Sequence, residues 1–256
     1  MNNHTPLLSI TNISKHFGGI SALNHVNFKI KSGQIKGLIG PNGAGKTTMF
    51  NLITGVYQPN SGDIFFNGKL INRMPPYKIS RAGIARTFQN VRLFTNLTVL
   101  ENVMVGSHTQ LKTGFVSAAL NLPWTVKEER ECRALAIKML KFVGLADCVD
   151  FAASALPFGQ QRLLEIARAL ATEPQLILLD EPAAGLSTPE RAALLKLIKE
   201  IRDLGITVLL VEHDMDLVMK VCDEIVVLEF GSKIAEDNPE SIQNDPRVIA
   251  AYLGEG

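Results

Sequence analysis

The sequence predicts an α/β fold within a single domain of residues 1–256: a core built on a mixed β-sheet, an N-terminal antiparallel β subdomain and an inserted α-helical subdomain. Three observations predict it. Early segments alternate apolar and polar residues, as strands with one face on a core do. Three other runs, IKGLIG, LILLD and ITVLLVEH, read as continuously apolar and end in glycine or polar residues, the pattern of strands buried on both faces of a parallel sheet. The middle of the chain, roughly 98 to 170, instead carries helical spacing. The core is expected over about 1–90 and 171–256, with the helical insertion over 91–170.

In order along the chain, HVNFKIKSG places Val26, Phe28 and Ile30 on one side of a half-exposed antiparallel strand. DIFFNGKLI holds Asn67-Gly68 between apolar runs, a type I′ hairpin signal. Thr98 to Glu101, TVLE, is a capping box that starts a helix. In the next helix Cys132, Leu135, Ala136, Met139, Leu140 and Val143 form a stripe expected to face the core rather than a partner. The intervening GSHTQLKTGFVSAALNLPW fits a long loop or loosely packed helices. IVVLEFGSKIAED reads as a hairpin, and NPESIQNDPRVIAAYLGEG as a short helical tail.

Composition narrows the function. Lys and Arg total 26 against 25 Asp and Glu, so there is no basic face of the kind that neutralises nucleic-acid phosphates. Cys132, Cys148 and Cys222 lack any CxxC pairing, and buried, inert thiols in a reducing compartment are expected. MNNHTPLLSI lacks the basic start and apolar run of a signal peptide, and no apolar run approaches the roughly 18 residues that span a bilayer. A cytosolic chain is expected, any membrane role coming through a partner.

GPNGAGKT, Gly40 to Thr47, fits G-x-x-x-x-G-K-[ST] between a buried strand and a helix-like TTMFNLITGV. This P-loop context calls for a P-loop NTPase core. Across Gly40, Pro41, Asn42, Gly43, Ala44 and Gly45 the glycines would let successive backbone N–H groups, all but that of Pro41, turn inward as an anion nest, helped by the helix start. Lys46 would reach the β- and γ-phosphates of ATP, Thr47 would ligate Mg²⁺, and Thr48 would support the α-phosphate. LILLDEP then delivers Asp180 to the Mg²⁺ shell and Glu181 to polarise an attacking water. His213, at the end of another strand, is expected to hold water, phosphate and Glu181 in register, because positioning is most of phosphoryl-transfer catalysis.

With these elements in place, the chain resembles the ATP-binding subunits of ABC transporters over nearly its full length. FQN puts Gln89 at the position of the Q-loop, which implies Mg²⁺ sensing and contact with the membrane subunit. FGQQRLLEIARAL resembles the signature helix, AAGLS the D-loop, and Phe17 in KHFGG the aromatic that stacks on adenine. The resemblance implies a second ATPase subunit sandwiching two ATPs with this one, integral membrane permease subunits, and a place on the cytoplasmic face of the inner membrane. ARTFQNVRLFTNLTVLENVMVG, LLDEPAAGLS, VEHDMDLVM and the ending AYLGEG look closer still to the branched-chain amino acid importer branch, in its longer ATPase subunit, which also implies a periplasmic binding protein. Importers of urea or amides and the lipopolysaccharide-export ATPase share much of this pattern. Nucleic-acid or ribosome ATPases of the same type carry a long coiled-coil insert or two ATPase domains, and a P-loop kinase would need neither Gln89 nor the signature helix.

Two departures stand out. The usual L-S-G-G-Q is here Leu156-Pro157-Phe158-Gly159-Gln160, so the serine hydroxyl that would reach the opposite subunit's γ-phosphate is missing. Pro157 suits a helix start, and the N–H groups from Gly159 and Gln160 onward remain available. The chain's own phosphate loop is therefore complete, while the nucleotide held by the partner is served by an altered signature. Ser187 also replaces the usual D-loop aspartate, and STPE reads as a helix-capping box with Pro189 early in the helix.

Overall fold

The computed structural model describes residues 6–89, 92–107 and 123–253. Among these residues ten strands run in order: β1 (Leu8–Phe17), β2 (Ile20–Ile30), β3 (Ile35–Ile39), β4 (Ser61–Phe66), β5 (Lys69–Leu70), β6 (Ile84–Arg86), β7 (Leu176–Asp180), β8 (Thr207–Val211), β9 (Glu224–Glu229) and β10 (Ser232–Asp237). The helices are α1 (Lys46–Ile53), α2 (Pro76–Arg81), α3 (Val99–Ser107), α4 (Pro123–Phe142), α5 (Phe158–Leu170), α6 (Thr188–Asp203), α7 (Met215–Val221), α8 (Pro239–Gln243) and α9 (Pro246–Leu253).

Two sheets result. The first is antiparallel in the order β2-β1-β4-β5; the second is mixed, in the order β10-β9-β3-β8-β7-β6, with only β10 antiparallel. In β2 Val26, Phe28 and Ile30 point inward while their neighbours do not, the alternation of a half-buried strand. Asn67 (φ 49°) and Gly68 (φ 71°) both adopt the left-handed conformation that a type I′ turn requires, joining β4 to β5.

β3, β7 and β8 are buried along their whole length, as their apolar runs require. Their side chains alternate between two cores. Ile39, Ile177, Leu179, Val208 and Leu210 pack under the helices, whereas Leu38, Leu178, Leu209 and Val211 pack with α1 and the antiparallel sheet. Lys36 interrupts the apolar reading of β3. Its ammonium group, 1% exposed, meets Glu224 at 2.9 Å, Glu236 at 2.5 Å and the Lys29 carbonyl at 2.6 Å, tying β2 to β9 and β10. A buried cation is tolerated only when paired in this way.

In α4 the stripe of Cys132, Ala136, Met139, Leu140 and Val143 is buried, with Leu135 half-buried beside it. The Thr98 N–H and hydroxyl donate to Glu101, and the Glu101 N–H donates back to the Thr98 hydroxyl, closing the capping box at the start of α3. Of the long insert, residues 107–126, Ser107 ends α3 and 123–126 open α4, while 108–122 lie outside the described residues. Cys132 and Cys222 are buried free thiols and Cys148 is half-buried; burial pushes the Cys222 thiol well above its ordinary range. β9 pairs in parallel with β3 as well as forming the hairpin with β10, so the hairpin extends the main sheet. No helix among the described residues is long and apolar enough to cross a membrane.

Candidate functional site

The C-terminal ends of β3, β7 and β8, with the loop after β6, converge on one place, as open parallel sheets direct their functional groups. After β3 the chain turns through Gly40 (φ 147°), Gly43 (φ 78°) and Gly45 (φ 103°) before α1. A Cβ on Gly40 would lie 2.0 Å from the Leu228 carbonyl oxygen, and one on Gly45 would lie 2.6 Å from the Ala22 carbonyl oxygen. The backbone can pass there only without side chains, which leaves it free to present N–H groups.

Lys46 opens α1 and is buried, its Nζ donating to the carbonyls of Gly40 (2.6 Å) and Pro41 (2.9 Å). Ala44 is buried beneath the loop; Asn42, Gly43 and Thr47 face outward, and Pro41, Gly45 and Thr48 are half-buried. The loop thus has its backbone on the surface and its apolar anchor inside, as an anion cradle needs.

Asp180 ends β7, and Glu181 follows in the left-handed region (φ 48°), an uncommon conformation for a residue with a side chain. The Glu181 carboxylate is held on both sides. His213 Nε2 lies 2.7 Å from Oε1, and Gln89 Nε2 donates to Oε2 at 2.8 Å. The three residues picked out from separate segments therefore form one constellation. Gln89 spends its amide N–H₂ on Glu181, so its carbonyl oxygen is the atom a metal would use.

Thr47 and Asp180 offer a hydroxyl and a carboxylate, hard oxygen donors of the kind Mg²⁺ takes. Among the described residues no group of three His, Cys, Asp or Glu could hold a metal.

Phe17 is 41% exposed and packs edge to face with Tyr57 (ring centroids 5.1 Å apart), while Lys15 Nζ lies 5.0 Å from the Phe17 centroid. The sequence singled out Phe17 alone. Tyr57 and Lys15 extend the platform but sit in no motif.

At the start of α5, Pro157 is the N-cap residue, one position earlier than a first helical residue, and no side chain caps the helix. Its missing N–H consequently lies outside the helix. Phe158 is 47% exposed, yet its ring sits where a Cβ on Gly185 would come within 2.9 Å, and the Arg162 guanidinium covers it at 5.3 Å. Gly159 abuts Glu190 so closely that a Cβ would lie 2.2 Å from Oε1. Glu190 also accepts the Ser187 N–H (2.8 Å) and hydroxyl (2.5 Å), which holds the Glu190 carboxyl below the usual carboxylate range. Ser187 is accordingly the N-cap of α6, with Pro in its first turn. Gln160 is half-buried in the first turn of α5.

Sequence reasoning passed over several charged groups here. Arg86 pairs with Asp180 at 2.7 Å. Glu212, 3% exposed, accepts the Ala183 N–H at 2.7 Å, and burial raises its carboxyl above the ordinary range, with the negative charge of Glu181 adding to the effect. From α5, Glu165 accepts the Phe88 N–H (3.1 Å) and Arg162 donates to the Phe88 carbonyl (2.9 Å), so the residue next to Gln89 is gripped through both its flanking peptides. Each belongs to an apparently ordinary strand or helix, where spacing alone signals only burial.

Comparisons with known proteins agree with this geometry. Residues 23–184 match the family described as ABC transporter, and residues 232–256 match that described as branched-chain amino acid ATP-binding cassette transporter. The chain is 46% identical over 251 residues to the high-affinity branched-chain amino acid transport ATP-binding proteins BraF of Pseudomonas aeruginosa and LivG of Escherichia coli K12, covering 98% of each chain. It is 35% identical to the probable LivG protein of Methanocaldococcus jannaschii over the full length of both. Among solved structures, a nucleotide-free ATP-binding cassette from an ABC transporter superposes with a TM-score of 0.84 at 35% identity, over 97% of this chain and 99% of that one. The ADP conformation of MJ1267, another such cassette, gives 0.85 at 34% identity over 98% and 99%. Family model, full-length relatives and solved structures all point the same way: this chain belongs to the ABC transporter family, as one of its ATP-binding cassettes.

Proposed function

We propose that the chain powers uptake of branched-chain amino acids (leucine, isoleucine and valine) by hydrolysing ATP on the cytoplasmic face of the inner membrane. Its partners are a second ABC ATPase subunit, integral permease subunits and, through them, a periplasmic binding protein; nucleic acid has no part. The ending that matches the branched-chain amino acid family and the names of the full-length relatives support this solute over urea, amides or lipopolysaccharide.

In this reading the glycine loop and Lys46 bind the β- and γ-phosphates, Lys46 exchanging its two carbonyl partners for phosphate oxygens. Thr47, Asp180 and Gln89 would hold Mg²⁺, which would supply positive charge to neutralise the phosphates. Thr48 supports the α-phosphate and Phe17 stacks on adenine. Pro157, Phe158, Gly159 and Gln160 face the nucleotide held by the partner.

Glu181 is the general base, and the observation that carries this role is its bracketing by His213 and Gln89 directly after Asp180. Each carboxylate oxygen has one partner and a further lone pair free to accept an incoming water. Gln89, on an exposed loop, and His213 together keep the carboxylate aimed. Hydrolysis is thereby tied to the loop that the resemblance places beside the membrane subunit.

The decisive assay measures ATP turnover of the reconstituted membrane complex with binding protein and candidate solutes. Stimulation by leucine, isoleucine or valine is the expected result. Stimulation by urea alone, or by lipid alone, overturns the solute assignment.

A further inference from the structure

Arg86 ends β6, three residues before Gln89, and its side chain is 9% exposed. Nη2 lies 2.7 Å from Asp180 Oδ2, and Nη1 donates to Asn51 Oδ1 on α1 at 2.7 Å. The guanidinium carbon sits 5.4 Å from the Phe50 ring centroid and 5.2 Å from that of Phe88. Nε, also buried, has no acceptor among the described residues. The group is therefore fixed by packing and committed to the carboxylate.

The physical consequence concerns charge. Asp180, its side chain 5% exposed, would be an uncompensated buried anion without Arg86. A divalent cation at the same carboxylate would bring two cations within a few ångströms of each other in a poorly solvated site, where their repulsion is weakly screened.

We propose that Arg86 is a positioning residue that acts as a built-in counter-ion for Asp180, and that Mg²⁺ must take this carboxylate over from it when the metal–nucleotide complex binds. The inference rests on the assignment of Asp180 to Mg²⁺. By linkage, anything that stabilises the metal-free chain at this carboxylate lowers its apparent affinity for the metal. Arg86 thus keeps Asp180 ordered between turnovers and holds metal affinity down, easing release of Mg²⁺ with the product. Its stacking on Phe88 places the exchange against the residue whose backbone Glu165 and Arg162 grip.

The test titrates Mg²⁺ against ADP binding in wild type, Arg86→Gln and Arg86→Lys. In Arg86→Gln the half-saturating Mg²⁺ concentration should fall roughly tenfold, the size of a typical pairwise coupling. The affinity for ADP without Mg²⁺ should stay unchanged, and Arg86→Lys, which keeps the cation, should stay near wild type. A metal requirement that is unchanged or higher in Arg86→Gln, or an equal change in metal-free ADP affinity, overturns the proposal. A second measurement needs no variant: hydrogen exchange of the Arg86 guanidinium in wild type should quicken on adding Mg²⁺ with ADP, and not with ADP alone. Identical exchange in both also overturns it. Were wild type to bind ADP with no Mg²⁺ dependence at all, the metal assignment itself would fail, which these outcomes keep separate.

Discussion

The end of β7 and the start of α5 are built in opposite ways. At β7 the acids already have partners within the chain: Asp180 has Arg86, and Glu181 has His213 and Gln89. At α5 the first turn has no side-chain cap, a proline stands where a hydroxyl would donate, and the neighbouring Phe158 ring leans on Gly185 of the same chain. In the proposed reading, the residues serving this chain's own nucleotide hold one another through side-chain pairs, whereas the turn offered to a partner subunit leaves its backbone N–H groups to do the binding.

The most severe way to break the assembled half is to remove its base. Glu181→Gln keeps the shape and the contacts to Gln89 and His213 but not the charge, so turnover should drop by roughly 10²–10⁴-fold, the share of a positioned general base. ATP should then accumulate in a closed dimer, visible as a larger species in size-exclusion chromatography with ATP. Normal turnover in this variant would remove Glu181 from the chemistry.

The loop can be broken sterically instead. Gly40→Ala forces a Cβ against the Leu228 carbonyl at a backbone angle that side chains avoid, whereas Gly43 has open space around it despite its positive φ. Gly40→Ala should cost about 1–3 kcal/mol of strain, read as a lower melting temperature and weaker ADP binding. Gly43→Ala should lose less on both measures. Equal losses at the two glycines would show that space around the loop does not matter.

Much of this was legible in the sequence because it depends on local rules. GPNGAGKT, LILLDEP and VEH each sit at the end of a strand whose apolar run announces it, and the sheet then brings those ends together. The two capping boxes and the Asn67-Gly68 turn were equally local. What stayed hidden depends on distance in the chain. Arg86 and Asp180 are 94 residues apart and Lys36 and Glu236 are 200 apart, so no window contains either pair. β6 was missed because three residues of a strand carry no period. The packing of Phe158 on Gly185 needs two loops from different elements, and nothing in LPFGQ or AAGLS announces it.

The offered half is sharpened by restoring what it lacks. Pro157→Ser returns the hydroxyl without touching Lys46, Asp180 or Glu181. In a heterodimer whose own-loop site is silenced by Glu181→Gln, the remaining hydrolysis occurs at the site made by the partner's loop and this signature. Its rate should rise, with an upper bound of roughly 10²-fold, the contribution of one pre-organised donor. Unchanged turnover would mean that the N–H groups of α5 suffice and that the two half-sites differ in construction without differing in rate.

The smallest effect concerns the join between the halves. Glu165 projects from the signature helix to the Phe88 N–H, and burial raises its carboxyl above the ordinary range, against the opposing pull of that N–H and of Arg168 and Arg162. A carboxyl whose folded pKa lies above its unfolded one binds more protons in the folded chain across that interval. Its contribution to stability is complete below the unfolded pKa and declines as pH rises through the folded one. Glu165→Gln carries no titrating proton, so it should gain on wild type as pH rises from about 4 toward neutrality in urea-unfolding curves. A constant difference across that range would mean that Arg162 and Arg168 fully offset the burial. The clamp on Phe88 would then titrate as an ordinary carboxyl does and be an ion-paired joint near neutral pH, with charge rather than a shared proton joining α5 to the Gln89 loop.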